Sequence, residues 1–81
     1  MRVTRKGQEK KIRELLRNIR ETAGLRQVDL AMRLKRPQSY ISKYESGEKI
    51  LDLLEAREVC LAMGISFGDF VRRMEESFNE S

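Results

Sequence analysis

The sequence predicts an all-α domain, a compact bundle of five short helices. Three observations carry that prediction. Apolar residues recur at three- and four-residue steps along most of the chain, and no segment alternates as a half-buried strand does. Gly24, Pro37, Gly47 and Gly64 punctuate the periodic runs. Asp52-Leu53-Leu54-Glu55 and Ser66-Phe67-Gly68-Asp69 have the spacing of capping boxes and open the last two runs. At 81 residues, with no Trp or His and 37% charged residues, the chain holds one small domain with a limited core.

Residues 1–8 are polar and basic, interrupted by Gly7, and read as a flexible arm. A solvated end and a segment lying along nucleic-acid phosphates both fit them. From about Glu9, Ile12, Leu15, Leu16, Ile19 and Ala23 form one apolar stripe. Lys10, Lys11, Arg13, Glu14, Arg17, Arg20 and Glu21 occupy the other faces. Gly24 supplies a left-handed stop, and Leu25 folds back on the helix.

A second helix spans about Gln27 to Leu34, with Val28, Ala31 and Leu34 on one side. Arg26 stands where Ser, Thr or Asn normally caps, a deficit of ~1 kcal/mol. Lys35 and Arg36 form a turn, and Pro37 suits the first position of a third helix that runs to about Ser46. Ile41 and Tyr44 face inward there, leaving Ser39, Ser42, Lys43 and Ser46 outward. In so charged a chain a solvated face would normally carry Glu and Lys. This one carries small hydrogen-bonding groups and a single charge, which is the character of a reading surface.

After a short connector, the fourth helix turns Ala56, Val59, Cys60 and Met63 inward and stops at Gly64. The fifth has a stripe of Phe67, Phe70, Val71, Met74 and Phe78. The domain therefore spans residues 9–78, and 79–81 are expected to fray.

Charge and cysteine usage narrow the function. Residues 1–49 carry 14 Lys and Arg against 6 Asp and Glu, and residues 50–81 carry 3 against 7. The basic half is also the half with the polar reading surface. A nucleic acid is the commonest partner for such a face, although Arg-rich solvated helices give the same balance. Cys60 is the single cysteine and is expected to be buried and inert, so neither an internal disulfide nor a Cys/His zinc site is available. That argues for a reduced, cytoplasmic setting. No run is long and apolar enough to span a membrane, and no apolar signal-peptide core follows the basic N-terminus. Without His, a glycine-rich phosphate loop or a metal cluster, no catalysis and no cofactor are expected.

The ordered run Leu16…Arg20-Glu-Thr-Ala-Gly24-Leu25-Arg26-Gln27-Val-Asp-Leu30-Ala31…Leu34…Pro37-Gln38-Ser39-Tyr40-Ile41-Ser42-Lys43-Tyr44-Glu45-Ser46-Gly47 resembles the XRE family of helix-turn-helix DNA-binding domains. The family includes small phage repressors, Cro proteins and the controller proteins of restriction–modification systems. The likeness continues through Leu51-Asp52-Leu53-Leu54-Glu55 and Ala62-Met63-Gly64-Ile65, and covers roughly residues 12–71. It implies a lambda-repressor-like fold whose third helix enters the major groove of a double-stranded DNA operator. Base-reading then falls to Gln38, Ser39 and Lys43: Gln suits adenine, Lys suits guanine, and Ser serves either. Tyr40 lies at the edge of that face, either against a thymine methyl or a phosphate, or partly in the core. Phosphate contacts fall to Gln27, Arg36, Ser42 and Lys49, with Arg17 and Arg20 weaker choices. The family often has Gly where this chain has Lys35, so the turn is expected to depart from the family geometry.

Leu61 should point outward, with Leu53 or Leu54 beside it. Together with Phe70, Met74 and Phe78 it predicts a homodimer through the last two helices. The resulting reading is a small transcriptional repressor or autoregulator, with RNA polymerase as a further partner if it activates. The alternative is an antitoxin or adaptor that uses the same fold chiefly to bind a protein, such as a toxin.

Overall fold

The computed structural model describes residues 4–80, which form α1 (Arg5–Thr22), α2 (Gln27–Leu34), α3 (Gln38–Ser46), α4 (Leu53–Ala62) and α5 (Phe67–Asn79), with no strand among the described residues. The helix-turn-helix pair α2 and α3 pack on each other. α1 crosses behind α3 and α5, and α4 packs on α2 and α5. Leu16, Ile19, Leu30, Ala31, Ile41, Tyr44, Val59, Cys60, Met63 and Phe70 form the shared core. None of the described helices is long and apolar enough to cross a membrane.

α1 starts earlier than its apolar stripe indicates. The Thr4 hydroxyl accepts from Gly7 N at 3.0 Å, satisfying one of the free amides of the first turn. Residues 5–8 are therefore helical, which corrects the expected 1–8 arm; residues 1–3 lie outside the described residues. At the other end of the stripe Ala23 is exposed, because it is the C-cap and the chain turns away at Gly24, φ +75°.

α2 buries Leu30 and Ala31, whereas Val28 and Leu34 are only half-buried. The helix is short and packed on both α3 and α4, so its buried arc is centred between those two neighbours. Its start is better held than Arg26 implies. The Asp29 carboxylate accepts from Arg26 N at 2.8 Å and from the Arg26 guanidinium at 3.0 Å, the acidic half of a capping box. The Arg26 side chain holds the Asp29 carboxyl below its usual range, with help from the Arg26 amide.

The turn keeps the left-handed geometry despite its residue. Lys35 has φ 55° and ψ 44°, and is the only non-glycine with positive φ among the described residues. Lys35 N donates to Met32 O at 3.2 Å and Arg36 N to Ala31 O at 3.0 Å, so the last carbonyls of α2 are satisfied. Pro37 is the N-cap of α3, not its first helical residue: its ψ of 152° is extended, and its carbonyl accepts from Tyr40 N at 3.0 Å.

α4 begins with the full capping box that its sequence indicates, whereas α5 has only the Ser66 half, because the Asp69 carboxylate turns to Arg72 and Arg73. Asp52 Oδ1 accepts from Glu55 N at 2.8 Å and Glu55 Oε1 from Asp52 N at 3.0 Å, while Ser66 Oγ accepts from Asp69 N at 3.1 Å. At the far end Lys11 Nζ donates to Ser77 O at 2.8 Å and Glu80 O at 3.2 Å, tying the end of α5 to α1. Asn79 is helical and Glu80 is held, against the expected fraying; Ser81 lies outside the described residues.

Phe70 does not belong to an exposed dimer face. It is 3% exposed and stacks on Phe67 with ring centroids 6.0 Å apart, because this part of the stripe packs against α1 and α4. Met74 and Phe78 are half-buried, and Leu61 is exposed.

Candidate nucleic-acid interface

α3 owes its position to a hydrogen-bonded chain that begins in the core. The Arg20 guanidinium grips Glu45 with two bonds, Nε to Oε2 at 2.7 Å and Nη2 to Oε1 at 3.0 Å, and donates from Nη1 to Leu25 O at 2.7 Å. Gln27 Nε2 donates to Glu45 Oε1 at 3.0 Å, and Gln38 Nε2 reaches Gln27 Oε1 at 3.4 Å. The first residue of α3 is thus linked through α2 and α3 to α1. Both members of the ion pair are buried, at 8% and 5% side-chain exposure. The hydrogen bonds to Glu45 raise the Arg20 pKa despite burial.

Arg20 was expected on an outer face of α1 and is a structural anchor instead. The signal for this was in the spacing: Ile12, Leu16 and Arg20 are at i, i+4 and i+8, the same side of one helix. A bidentate partner with the right geometry makes a buried Arg tolerable.

Gln38, Ser39, Ser42 and Lys43 are exposed on α3. Among the described residues Ser39, Ser42 and Lys43 make no side-chain hydrogen bond or ion pair, so these groups are free for an outside partner. Arg36 is exposed at the preceding turn, its guanidinium 4.4 Å from the Tyr40 ring centroid. Arg17 is exposed on α1, 3.8 Å from Glu21.

Tyr40 is half-buried, and its hydroxyl donates to Glu55 Oε2 at 3.1 Å. Burial first, then the Glu55 bond, pushes that hydroxyl up to about 12. The same Glu55 oxygen lies 3.3 Å from Lys49 Nζ, and Lys49 sits 5.8 Å from the Tyr40 ring centroid. Tyr40, Lys49 and Glu55 bracket α3 to the start of α4. Sequence reasoning missed Glu55 in this role, since a capping-box Glu already has a sufficient local reason to be there.

Cys60 is fully buried, and burial pushes its thiol up to about 11. No cluster of His, Cys, Asp or Glu among the described residues has the spacing to hold a metal ion.

A helix-turn-helix family model matches residues 16–70. Among solved structures, the chain is similar to an XRE-family like protein from Pseudomonas syringae pv. tomato str. DC3000. That chain is 35% identical, with 85% of this chain and 84% of that one covered and a TM-score of 0.81. It is also similar to the clp gene regulator ClgR from C. glutamicum, 25% identical, with 88% and 91% covered and a TM-score of 0.75. The restriction-modification controller protein C.Esp1396I shares the fold, with a TM-score of 0.84 over 91% of this chain and 95% of that one at 20% identity. No curated protein sequence matches significantly.

Proposed function

This chain belongs to the XRE-type helix-turn-helix family, whose members are regulators that bind double-stranded DNA, and on that premise we propose that it occupies an operator as a homodimer with α3 in the major groove. The observation that carries the proposal is the free polar face of α3, anchored at Gln38 by the chain through Gln27 and Glu45 to Arg20.

Gln38 pairs with adenine, Lys43 with guanine, and Ser39 with either. Tyr40 contributes a ring edge against a thymine methyl, since Glu55 already occupies its hydroxyl. Gln27, Arg36, Ser42 and Lys49 bind phosphates; for Lys49 a phosphate takes over from Glu55 as the anionic partner. Leu61, Met74 and Phe78 join two protomers, placing two copies of α3 about one helical turn, ~34 Å, apart on the operator. Repression follows from occupying a promoter.

Selection of bound sites from random DNA, followed by mobility shifts, tests this reading. Lys49→Ala weakens binding to every sequence and lowers the salt slope by about 1. Lys43→Ala relaxes preference at defined base pairs. If neither variant alters binding, α3 is not the reading surface.

One observation favours a second reading. Leu53, Leu54 and Leu61 are 72%, 70% and 49% exposed on α4, an apolar outward face suited to a protein partner, as in an antitoxin or adaptor. A clean homodimer in light scattering counts against it; stoichiometric co-purification with another protein counts for it.

A further inference from the structure

The apolar core is open on one side, between α1, the connector that follows Gly47, and α5. A cavity of about 280 Å³ lies there, walled by Ile12 and Leu16 of α1 and by Phe70, Val71 and Met74 of α5. Its volume is just below that of typical small-molecule pockets, which run from ~300 to 1,000 Å³. None of the proposed base-reading residues of α3 lines it, and of the proposed phosphate and dimer contacts only Lys49 and Met74 do.

Three features around the cavity give it chemical character. First, Tyr44 is in its wall, 2% exposed, and the Tyr44 hydroxyl is the one buried side-chain polar atom among the described residues that has no hydrogen-bond partner. Such a group ordinarily costs free energy unless something completes it. Second, Ile50 and Leu53 line the opening while 62% and 72% exposed, so apolar surface continues from the interior to the lip. Third, the charges that line the opening number two of each sign, Glu9, Asp52, Arg13 and Lys49, and Arg13 is the cation among them left without an ion pair among the described residues. Glu9 is 3.7 Å from Arg5, Lys49 is paired with Glu55 at 3.3 Å, and Asp52 caps α4. The Arg13 guanidinium rests on Gly47, where a Cβ would come within 3.2 Å of Arg13 Cζ.

We propose that this cavity binds a small amphipathic carboxylic acid, with its carboxylate on Arg13 and its apolar body among Ile12, Phe70, Val71 and Met74. A guanidinium favours a carboxylate through charge-assisted, two-pronged hydrogen bonds. Glu9 and Asp52 on the same rim disfavour a dianion such as a phosphate monoester. The apolar body covers Ile50 and Leu53. The site is wired to the reading helix, because Tyr44 belongs to α3 and Gly47 is the α3 C-cap. Occupancy therefore tunes operator affinity to the extent that the acid binds the free and DNA-bound forms differently.

Octanoate below its micelle-forming concentration is the probe, with 1-octanol as the uncharged control and the full chain labelled for amide NMR. The expected result is a saturable shift of the Arg13, Gly47 and Val71 amides, with octanoate binding about tenfold tighter than octanol. Arg13→Ala abolishes that preference and Arg13→Lys retains part of it; both variants change one half-buried residue, and a circular-dichroism melt confirms that the fold is intact. Equal binding of octanoate and octanol overturns the proposal, as does a preference that survives Arg13→Ala. Shifts confined to the Leu61 face, or no saturation, also overturn it. None of these readouts involves DNA, so the outcome is independent of the operator-binding reading.

Discussion

In α1–α3 the helix proposed to read bases is held by a polar chain running from Arg20 through Glu45 and Gln27 to Gln38. In α4 and α5 the helices are held mainly by side-chain N-caps and apolar packing, and the outward surface of α4 includes three exposed leucines. The first arrangement fixes the direction of individual hydrogen-bonding groups, which base reading requires. The second fixes only where a surface sits, which suffices for non-directional association. The charge follows the same division, with the excess of Lys and Arg in residues 1–49 and of Asp and Glu in residues 50–81.

The strongest way to break the polar half is Glu45→Ala, which leaves Arg20 buried without its partner. A loss of ~3–5 kcal/mol in urea unfolding is expected, because an unpaired buried charge costs that much. A loss below 1 kcal/mol would show that Arg20 escapes to solvent and that the chain is not an anchor. Gln38→Ala is expected to leave unfolding nearly unchanged but to remove ~1–3 kcal/mol of discrimination at one base pair, read from binding to single-base operator variants.

In the second half, Ser66→Ala should lower stability by ~1 kcal/mol through loss of the α5 cap, with operator preference untouched. The turn between α2 and α3 offers a gain. Lys35→Gly removes a left-handed strain of ~1–2 kcal/mol and adds ~0.4–1 kcal/mol of unfolded-chain entropy. Its net effect is a stabilisation of up to ~1.6 kcal/mol, seen as a raised urea midpoint.

The smallest effect is on pH dependence. The Asp52 amide, then Lys49 and Tyr40, hold the Glu55 carboxyl below its ordinary value of 4.5. Its contribution is therefore fully present above that value and is lost as pH falls through the lower folded-state value. Glu55→Gln should flatten the acid limb of the stability curve. An unchanged limb in acid titrations would mean that Glu55 does not join the two halves.

Much of this molecule is legible along the chain. The Asp52/Glu55 and Ser66/Asp69 pairs, the stop at Gly47 and the outward row Gln38, Ser39, Lys43 all depend on neighbours within one or two turns. Phe70 was misplaced for the opposite reason. Helical period says that it shares a face with Met74, but only the positions of α1 and α4 decide how far that face is covered. Tyr40 stood between core and surface until Glu55, 15 residues away, took its hydroxyl.

The sequence by itself determined the number of helices, their limits to within a few residues, and a helix-turn-helix with a polar outward face. Those follow from local rules of period, capping and turn residues. Only the tertiary structure decided that Arg20 is an anchor, that Gln38 is braced by Gln27, that Lys35 accepts a left-handed turn, and that the core stays open beside Arg13. Each of these depends on groups that distant helices bring together, and their cost or benefit exists only after those helices have packed.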